Sequence, residues 1–384
     1  MRDFHLDLKT GVGPKSVLHV VTYIGTRGEY GGPVTVARNL SNELAQSKIP
    51  VTVLGATTES DFDGLYENHR EIRVKSRIYL QRYRFSSIFS TRLFLRIVQE
   101  VRNHAVVHVH FARDLVPITA AAIAIVFRKR LVLQTHGMIT KDDRIIVRVV
   151  DLLVKFIASN SNAILVLTNT ELQDLRQVGF RSNFVIFRNG LPAKGKITHT
   201  LKNLDNHFEI IFFSRLNKSK RPKVVVDIAE QLRTSHPEIH FSIYGPDDGA
   251  LDELLETIEV LQLADHVKYG GALNPSEISE VIQGCSLVLL PSLRDPYPMV
   301  VLETLQLGKP IIVSPDCGQA DLLRKYDKRL VSEGFLPEDY INRIKEMKRV
   351  NFLQDEKENL LEIFRLEFDI ATIVEKLVNV YFNG

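Results

Sequence analysis

Cysteine is nearly missing: Cys285 and Cys317 are the only two in 384 residues. Two thiols build no disulfide framework, and neither stands at a metal-ligand or redox spacing. Each sits beside an apolar run, so both are expected to be buried free thiols, as in a reducing compartment. No apolar run is long enough to span a bilayer. The longest, Leu115 to Phe127, falls short of the roughly 20 residues a spanning helix needs. Met1 to Thr10 carries charges and no apolar core, so no signal peptide is expected. The chain reads as cytoplasmic, soluble or at most peripheral on the inner face of the cell membrane. No Gly-x-Gly-x-x-Gly follows a strand-like run, because Gly11-Val12-Gly13 precedes the first one, and no P-loop occurs. Both absences weaken dehydrogenase and nucleoside-triphosphatase chemistry. Charge of one sign is also scarce: 49 Lys and Arg against 46 Asp and Glu leave +3. That balance hides a split. Residues 1–195 hold 27 basic and 16 acidic side chains, net +11, and residues 196–384 hold 22 and 30, net −8. A basic half joined to an acidic half points to two domains with different tasks.

Apolar residues make up 45% and charged residues 25%, an ordinary globular composition. Short β-branched runs alternate with helical stripes such as Val34, Ala37, Leu40 and Leu44. Strands are predicted at Val17 to Thr22, Val51 to Leu54, Val106 to Val109, Leu131 to Leu133, Ala163 to Leu167 and Phe184 to Phe187. After a polar stretch, Lys194 to Asn206, five more follow: Glu209 to Phe213, Ile239 to Tyr244, Val267 to Tyr269, Ser286 to Leu290 and Pro310 to Val313. Strand–helix alternation implies parallel sheets covered on both faces. Two doubly wound α/β domains are therefore expected, residues 1–195 and 196–365. A helical tail at 366–384 is expected to pack back on the first.

Ligands of open α/β sheets bind beyond the carboxyl ends of the strands. After the first strand come Tyr30-Gly31-Gly32-Pro33 and a helix start. The pair of glycines reads either as a plain turn or as a close backbone approach to an anion. His136 follows the fourth strand, where it can serve a ligand hydroxyl or be a satisfied structural histidine. His108 and His110 share one strand face. No third ligand is evident in the sequence, so they are expected as core histidines, with no metal. After the first strand of the second domain, Arg215, Lys218, Lys220 and Arg221 crowd one loop. That loop suits phosphate or plain solvation equally. Pro291 to Glu303 holds two carboxylates eight apart, Asp295 and Glu303. Glu303 stands in an apolar helix and needs a partner.

In order and spacing, these pieces resemble the retaining, nucleotide-sugar-dependent glycosyltransferases of family four. Pro291-Ser292, Asp295 and Glu303 follow the family's Glu-x(7)-Glu pattern. Ser214-Arg215-Leu216 and Lys220-Arg221 follow its Gly-Arg-Leu, three residues, Lys-Gly. Gly31-Gly32, His136, Arg188-Asn189-Gly190 and Tyr244-Gly245 support them. The resemblance runs from about Val17 to Phe382. It implies a GT-B fold, two Rossmann-like doubly wound parallel-sheet domains facing a central cleft. It also implies a nucleotide-diphosphate sugar as donor, with no cofactor and no metal. Glu303 would hold the ribose. Arg215 and Lys220 would neutralise the diphosphate together with the N–H groups of Met299 and Val300, next to Tyr297, Pro298 and Gly245. Gly31 and Gly32 would close over the diphosphate. His136 and Asp295 would contact the transferred sugar. Asp295 in place of Glu, Pro298 in place of Gly, and Ser214 and Arg221 in place of glycines depart from the pattern. A GT-B nucleotide-sugar epimerase and an inactive glycosyltransferase-like binding protein are the alternatives. The acceptor is expected to be a saccharide or lipid-linked saccharide in cell-surface glycan synthesis.

Between Lys75 and Arg102, seven cations face one acid amid aromatic and aliphatic residues. Arg82, Arg84, Arg92 and Arg96 are expected to form a surface for an acceptor or an anionic membrane, or else a solvated helix. No nucleic-acid motif is found, so no nucleic-acid partner is expected.

Overall fold

The structure is a computed structural model and describes residues 15–25, 31–181, 183–193, 208–349 and 356–383. The chain divides into two compact units, Met1–Pro192 with Ile370–Gly384, and Ala193–Asp369. The polar stretch expected to separate the domains lies almost wholly outside the described residues.

The first unit is built on β1 (Val17–Tyr23), β2 (Val51–Thr57), β3 (Phe62–Tyr66), β4 (His69–Lys75), β7 (Val106–His110), β8 (Arg130–Gln134), β9 (Ala163–Val166) and β10 (Phe184–Ile186). They form one eight-stranded sheet in the order β10-β9-β8-β7-β1-β2-β4-β3. All neighbours are parallel except β3 and β4. The short pair β5 (Arg77–Ile78) and β6 (Ile88–Phe89) stands apart. Strand alternation divides the core between two faces. Leu18, Val20, Val107, Val109, Leu131 and Leu133 pack on one side. Val17, Val106 and Val132 pack on the other, beneath the helix Ile370–Phe382 with its Ile373, Val374, Leu377 and Tyr381.

The predicted strands are present, and the β3–β4 hairpin is added to them. Its sequence conceals it, because β4 reads His-Arg-Glu-Ile-Arg-Val-Lys. The charges are satisfied inside the fold. Buried Glu71 accepts from Arg38 at 2.8 and 3.0 Å and from Arg73 Nε at 2.7 Å, and Arg70 donates to Asp63 at 2.8 Å. The stretch from Lys75 to Arg102 is not one amphipathic helix. It holds β5, a 3₁₀ segment Gln81–Ser87, β6, and an α-helix only from Thr91 to Asn103, capped by the Ser90 hydroxyl.

The second unit is a five-stranded parallel sheet in the order β13-β12-β11-β14-β15. Its strands are β11 (Phe208–Phe213), β12 (Ile239–Tyr244), β13 (Val267–Gly271), β14 (Leu287–Leu290) and β15 (Ile311–Val313). The order reverses direction beside β11, so the loops after β11 and β14 emerge next to each other at the switch point where such sheets bind ligands. Cys285 and Cys317 are buried and free, as expected, and burial pushes the Cys285 thiol up to about 12. No helix among the described residues is long and apolar enough to cross a membrane.

Candidate functional site

In the second unit the two adjacent loops are joined by backbone and side-chain bonds. The Leu293 N–H donates to the Ser219 carbonyl at 2.7 Å. Lys220 donates its ammonium to Asp295, and both side chains are largely sequestered from water. Asp295 is fixed further by its own carbonyl, which accepts from Gly318 N–H at 2.9 Å. The Arg294 N–H donates to Asp316 at 2.9 Å, and Gln319 donates to the Pro298 carbonyl at 3.2 Å. Pro298 then starts the helix Met299–Gln306, with φ at −65° as a proline ring dictates. The first N–H groups of that helix, on Met299 and Val300, have no acceptor within the helix. Tyr297 and Val300 are buried beside them, and Glu303 stands half-buried one turn on. Lys220, Asp295 and the helix carrying Glu303 are thus brought together.

Arg215 lies at the same strand end, exposed, and donates to Asp248 at 3.1 Å, which Asn217 also contacts at 2.8 Å. Arg221 does other work. Its guanidinium donates to the Phe335 carbonyl at 2.8 Å and the Pro291 carbonyl at 3.4 Å, while its backbone takes φ of +55° before the helix Pro222–Leu232. An arginine thus occupies a left-handed position that favours glycine, held there by the two carbonyls. Gly245 has a packing reason to be glycine: φ is +143°, and a Cβ would sit 1.8 Å from the Ser214 carbonyl oxygen. Gly245→Ala is expected to destabilise the second unit by about 3 kcal/mol, read as an earlier denaturant midpoint. An unchanged midpoint would mean that the close approach is relieved without cost.

In the first unit the helix Gly31–Gln46 starts at the glycine pair. A Cβ on Gly32 would meet nothing within 4 Å, so its backbone faces open space. His136 follows β8 with φ of +52°, a strained conformation for a side chain of its size. It does not stand alone. His136 Nε2 lies 2.7 Å from His110 Nδ1, and His110 Nε2 lies 3.1 Å from His19 Nδ1. The rings of His110 and His136 are 6° from coplanar with centroids 5.0 Å apart, so they meet edge to edge. Beyond them, His19 Nε2 and His108 Nδ1 share the Tyr381 hydroxyl at 3.4 and 2.5 Å. The third histidine that the sequence did not reveal is His19. It arrives because β1 and β7 pair with His19 opposite His108.

Burial holds His19 and His136 down to about 3, and His108 and His110 well below the ordinary value, so all four rings are neutral. A neutral imidazole has one N–H, so the chain of bonds has a single direction. If His136 Nε2 donates to His110, then His110 donates to His19, His19 to Tyr381 and Tyr381 to His108. His136 Nδ1 is then left as an acceptor at the open end. Reversing either link between the histidines reverses the other, while the Tyr381 oxygen, with two lone pairs, can also accept from both His19 and His108. Among the described residues this is also the cluster with the composition of a metal site. His19, His108 and His110 offer nitrogens all within 4.8 Å. His19 Nδ1 and His110 Nε2, however, are already bonded to each other.

Of the four expected surface cations, Arg82 is exposed and the Arg84 side chain lies outside the described ones. Arg92 pairs with Asp61 at 3.0 Å, and Arg96 pairs with Asp63 and with Glu100 at 3.2 Å. Two of these cations are therefore partly neutralised by the unforeseen hairpin.

Residues 30–194 match the family model "Glycosyltransferase Family 4", and residues 196–360 match "Glycosyl transferases group 1". A D-inositol 3-phosphate glycosyltransferase of Paenarthrobacter aurescens is 27% identical over 143 residues, 36% of this chain and 35% of that protein. The chain spans about a third of the length of the curated relatives it matches. Over the whole fold it is similar to HepE of Anabaena, solved in complex with UDP. The TM-score is 0.74 at 16% identity, covering 96% of this chain and 100% of that one. Sucrose-phosphate synthase of Thermosynechococcus elongatus gives 0.73 at 14%, covering 96% and 98%. The two matching models together span residues 30–360, and the chain belongs to the family-four-type glycosyltransferases of GT-B fold.

Proposed function

We propose that the protein is a retaining, metal-independent glycosyltransferase. It moves a sugar from a nucleotide-diphosphate sugar to a hydroxyl of a saccharide or lipid-linked saccharide, in cell-surface glycan synthesis at the cytoplasmic side of a membrane. The observation that carries this reading is the assembly of Arg215, Lys220, Asp295, the Met299 helix start and Glu303 around adjacent strand ends of the second unit. Cations and N–H groups at a helix start together suit a diphosphate, whose charge grows as the glycosidic bond breaks. A carboxylate one turn into the helix suits a pair of ribose hydroxyls. In the first unit, Gly31 and Gly32 offer backbone to an anion, and His136 offers one ring nitrogen to a sugar hydroxyl. UDP and glucose bound to HepE, and the inositol phosphate in the name of the Paenarthrobacter aurescens relative, support a nucleotide-sugar donor and a polar acceptor.

Thermal-shift measurements against UDP-, GDP- and ADP-sugars test the reading, since a ligand of the native state raises the melting temperature. One base class is expected to raise it. Nucleoside diphosphate release is expected to follow, and to fall about a hundredfold in Glu303→Ala. A flat response across the panel from folded protein would overturn the donor site. Solvent isotope entering the sugar would favour an epimerase, and a shift without turnover a binding protein.

A further inference from the structure

The helix Ile145–Ser159 is fixed to the first unit by one face and bare on the other. Val154, Ile157 and Ala158 are buried against the core, and Asp151 is locked to Arg113 by a bond of 2.7 Å. Its outward face carries Ile145, Ile146, Val149, Leu152, Leu153 and Phe156, which are 81, 55, 61, 66, 45 and 58% exposed. Those positions recur at one, four, seven, eight and eleven residues from the first, which aligns them in a single stripe. Six large apolar side chains in one contiguous stripe form a patch that soluble surfaces do not carry without an occupant. The helix cannot roll to hide it, because Asp151 and Val154 hold the opposite side.

We infer that this helix lies in the headgroup region of an anionic bilayer, its apolar stripe among the acyl chains and its cations among the phosphates. The inference deepens the reading of the acceptor as lipid-linked and rests on it for its purpose. Charge chooses the occupant. Lys141, Arg144 and Arg148 are exposed around the start of the stripe; Lys141 lies 3.9 Å from Asp143 and Arg144 pairs with Asp142 at 2.6 Å, while Arg148 makes no ion pair among the described residues. Residues 1–195 as a whole carry a net +11. An apolar stripe flanked by Arg and Lys is the composition of helices that lie in membrane interfaces. Anionic lipid adds attraction to each cation near the surface. The expected basic segment around Arg82 to Arg96 is a weaker candidate, since its exposed apolar side chains are split, Tyr79 and Leu80 before the 3₁₀ segment and Phe94 and Leu95 on the helix Thr91–Asn103, instead of forming one stripe.

Flotation of the full chain with phosphatidylcholine vesicles, with and without phosphatidylglycerol, tests this. The protein is expected to float with the anionic vesicles. A variant Ile145→Gln/Val149→Gln/Leu152→Gln/Phe156→Gln is expected to lose partitioning on the order of a hundredfold, because its lost contacts are apolar. Its melting temperature and its hydrolysis of soluble donor are expected to stay as in the wild type, since every changed residue is exposed. Arg148→Glu is expected to weaken flotation only with anionic vesicles, and less so in high salt. Equal flotation of wild type and the Gln variant would overturn the inference, as would wild type that never floats. A wild-type dimer that the variant turns into a monomer, with no vesicle binding by either, would assign the stripe to a second copy instead. Failure of donor hydrolysis in all of these proteins would count against the transferase reading and leave the membrane result standing.

Discussion

Acid is expected to unfold the first unit well above the pH at which carboxylates titrate, with half the protein unfolded between about pH 5 and 6. Burial lowers His19 and His136 to about 3 and His69 to about 4, and it holds His108 and His110 well below the ordinary value. Unfolded, each would titrate near 6.5. Their folded pKa values are depressed, so the folded state binds fewer protons below pH 6.5. Stability is therefore complete above that value and is lost as pH falls toward the folded pKa values. Each such histidine contributes a slope of about 1.4 kcal/mol per pH unit, and five titrating independently give about 7. A domain stability of about 5–15 kcal/mol is consumed within one or two pH units at that slope. Glu100 and Glu171 act the other way. Burial raises both, so they gain stability as they protonate in the fold, but two groups offset only part of five. Calorimetry at stepped pH measures this. The transition of the first unit is expected to move down steeply below pH 6.5, and His69→Gln to reduce the slope by about a fifth. A transition that stays level from pH 7.5 to 5 would mean that the histidine chain accepts protons inside the fold.

That chain also marks the limit of what the sequence discloses. Strand positions were legible because each strand is a short β-branched apolar run, and the ligand loops were legible because they follow strand ends. The Lys220–Asp295 pair could be suspected from two matching motifs, although their meeting depends on β11 lying beside β14. His108 and His110 were visible on one strand. Their partners were not: His19 comes by register across β1, and Tyr381 from a helix 273 residues beyond His108. The β3–β4 hairpin was hidden because its charges are neutralised inside the fold, Glu71 by Arg73 and by Arg38 of another element, and Arg70 by Asp63. The exposed stripe of Ile145–Ser159 was hidden for the opposite reason. The helix's polar positions Arg148, Asp151 and Lys155 recur at helical spacing and would be expected to face solvent, whereas Asp151 is buried in its pair with Arg113 beside Val154, which leaves the apolar stripe outside.

Lys220→Ala is expected to lower donor turnover by about 10²–10³-fold, the effect of removing one preorganised group from a developing anion. With no donor, the Lys220 ammonium is bonded to Asp295 in a nearly dry setting. The pair holds the lysine at the strand end instead of letting it range through solvent, and a diphosphate would find the cation already placed. Two effects of the substitution must be separated. Removing the lysine also leaves the Asp295 carboxylate poorly solvated and unpaired, which destabilises the fold. Lys220→Ala is therefore expected to lower the melting temperature, and Lys220→Ala/Asp295→Asn to restore most of it without restoring turnover. Lys220→Arg keeps charge but not the compact ammonium, and is expected to recover turnover only in part. A double-mutant cycle on the two residues measures their coupling in stability, while kcat against KM for the donor reports the chemistry. If the double variant turns over like the wild type, Lys220 is a partner for Asp295 and nothing more, and the charge that meets the phosphates is Arg215. That residue is 65% exposed in its side chain and, among the described residues, paired with Asp248, an exposed contact that a ligand phosphate can replace.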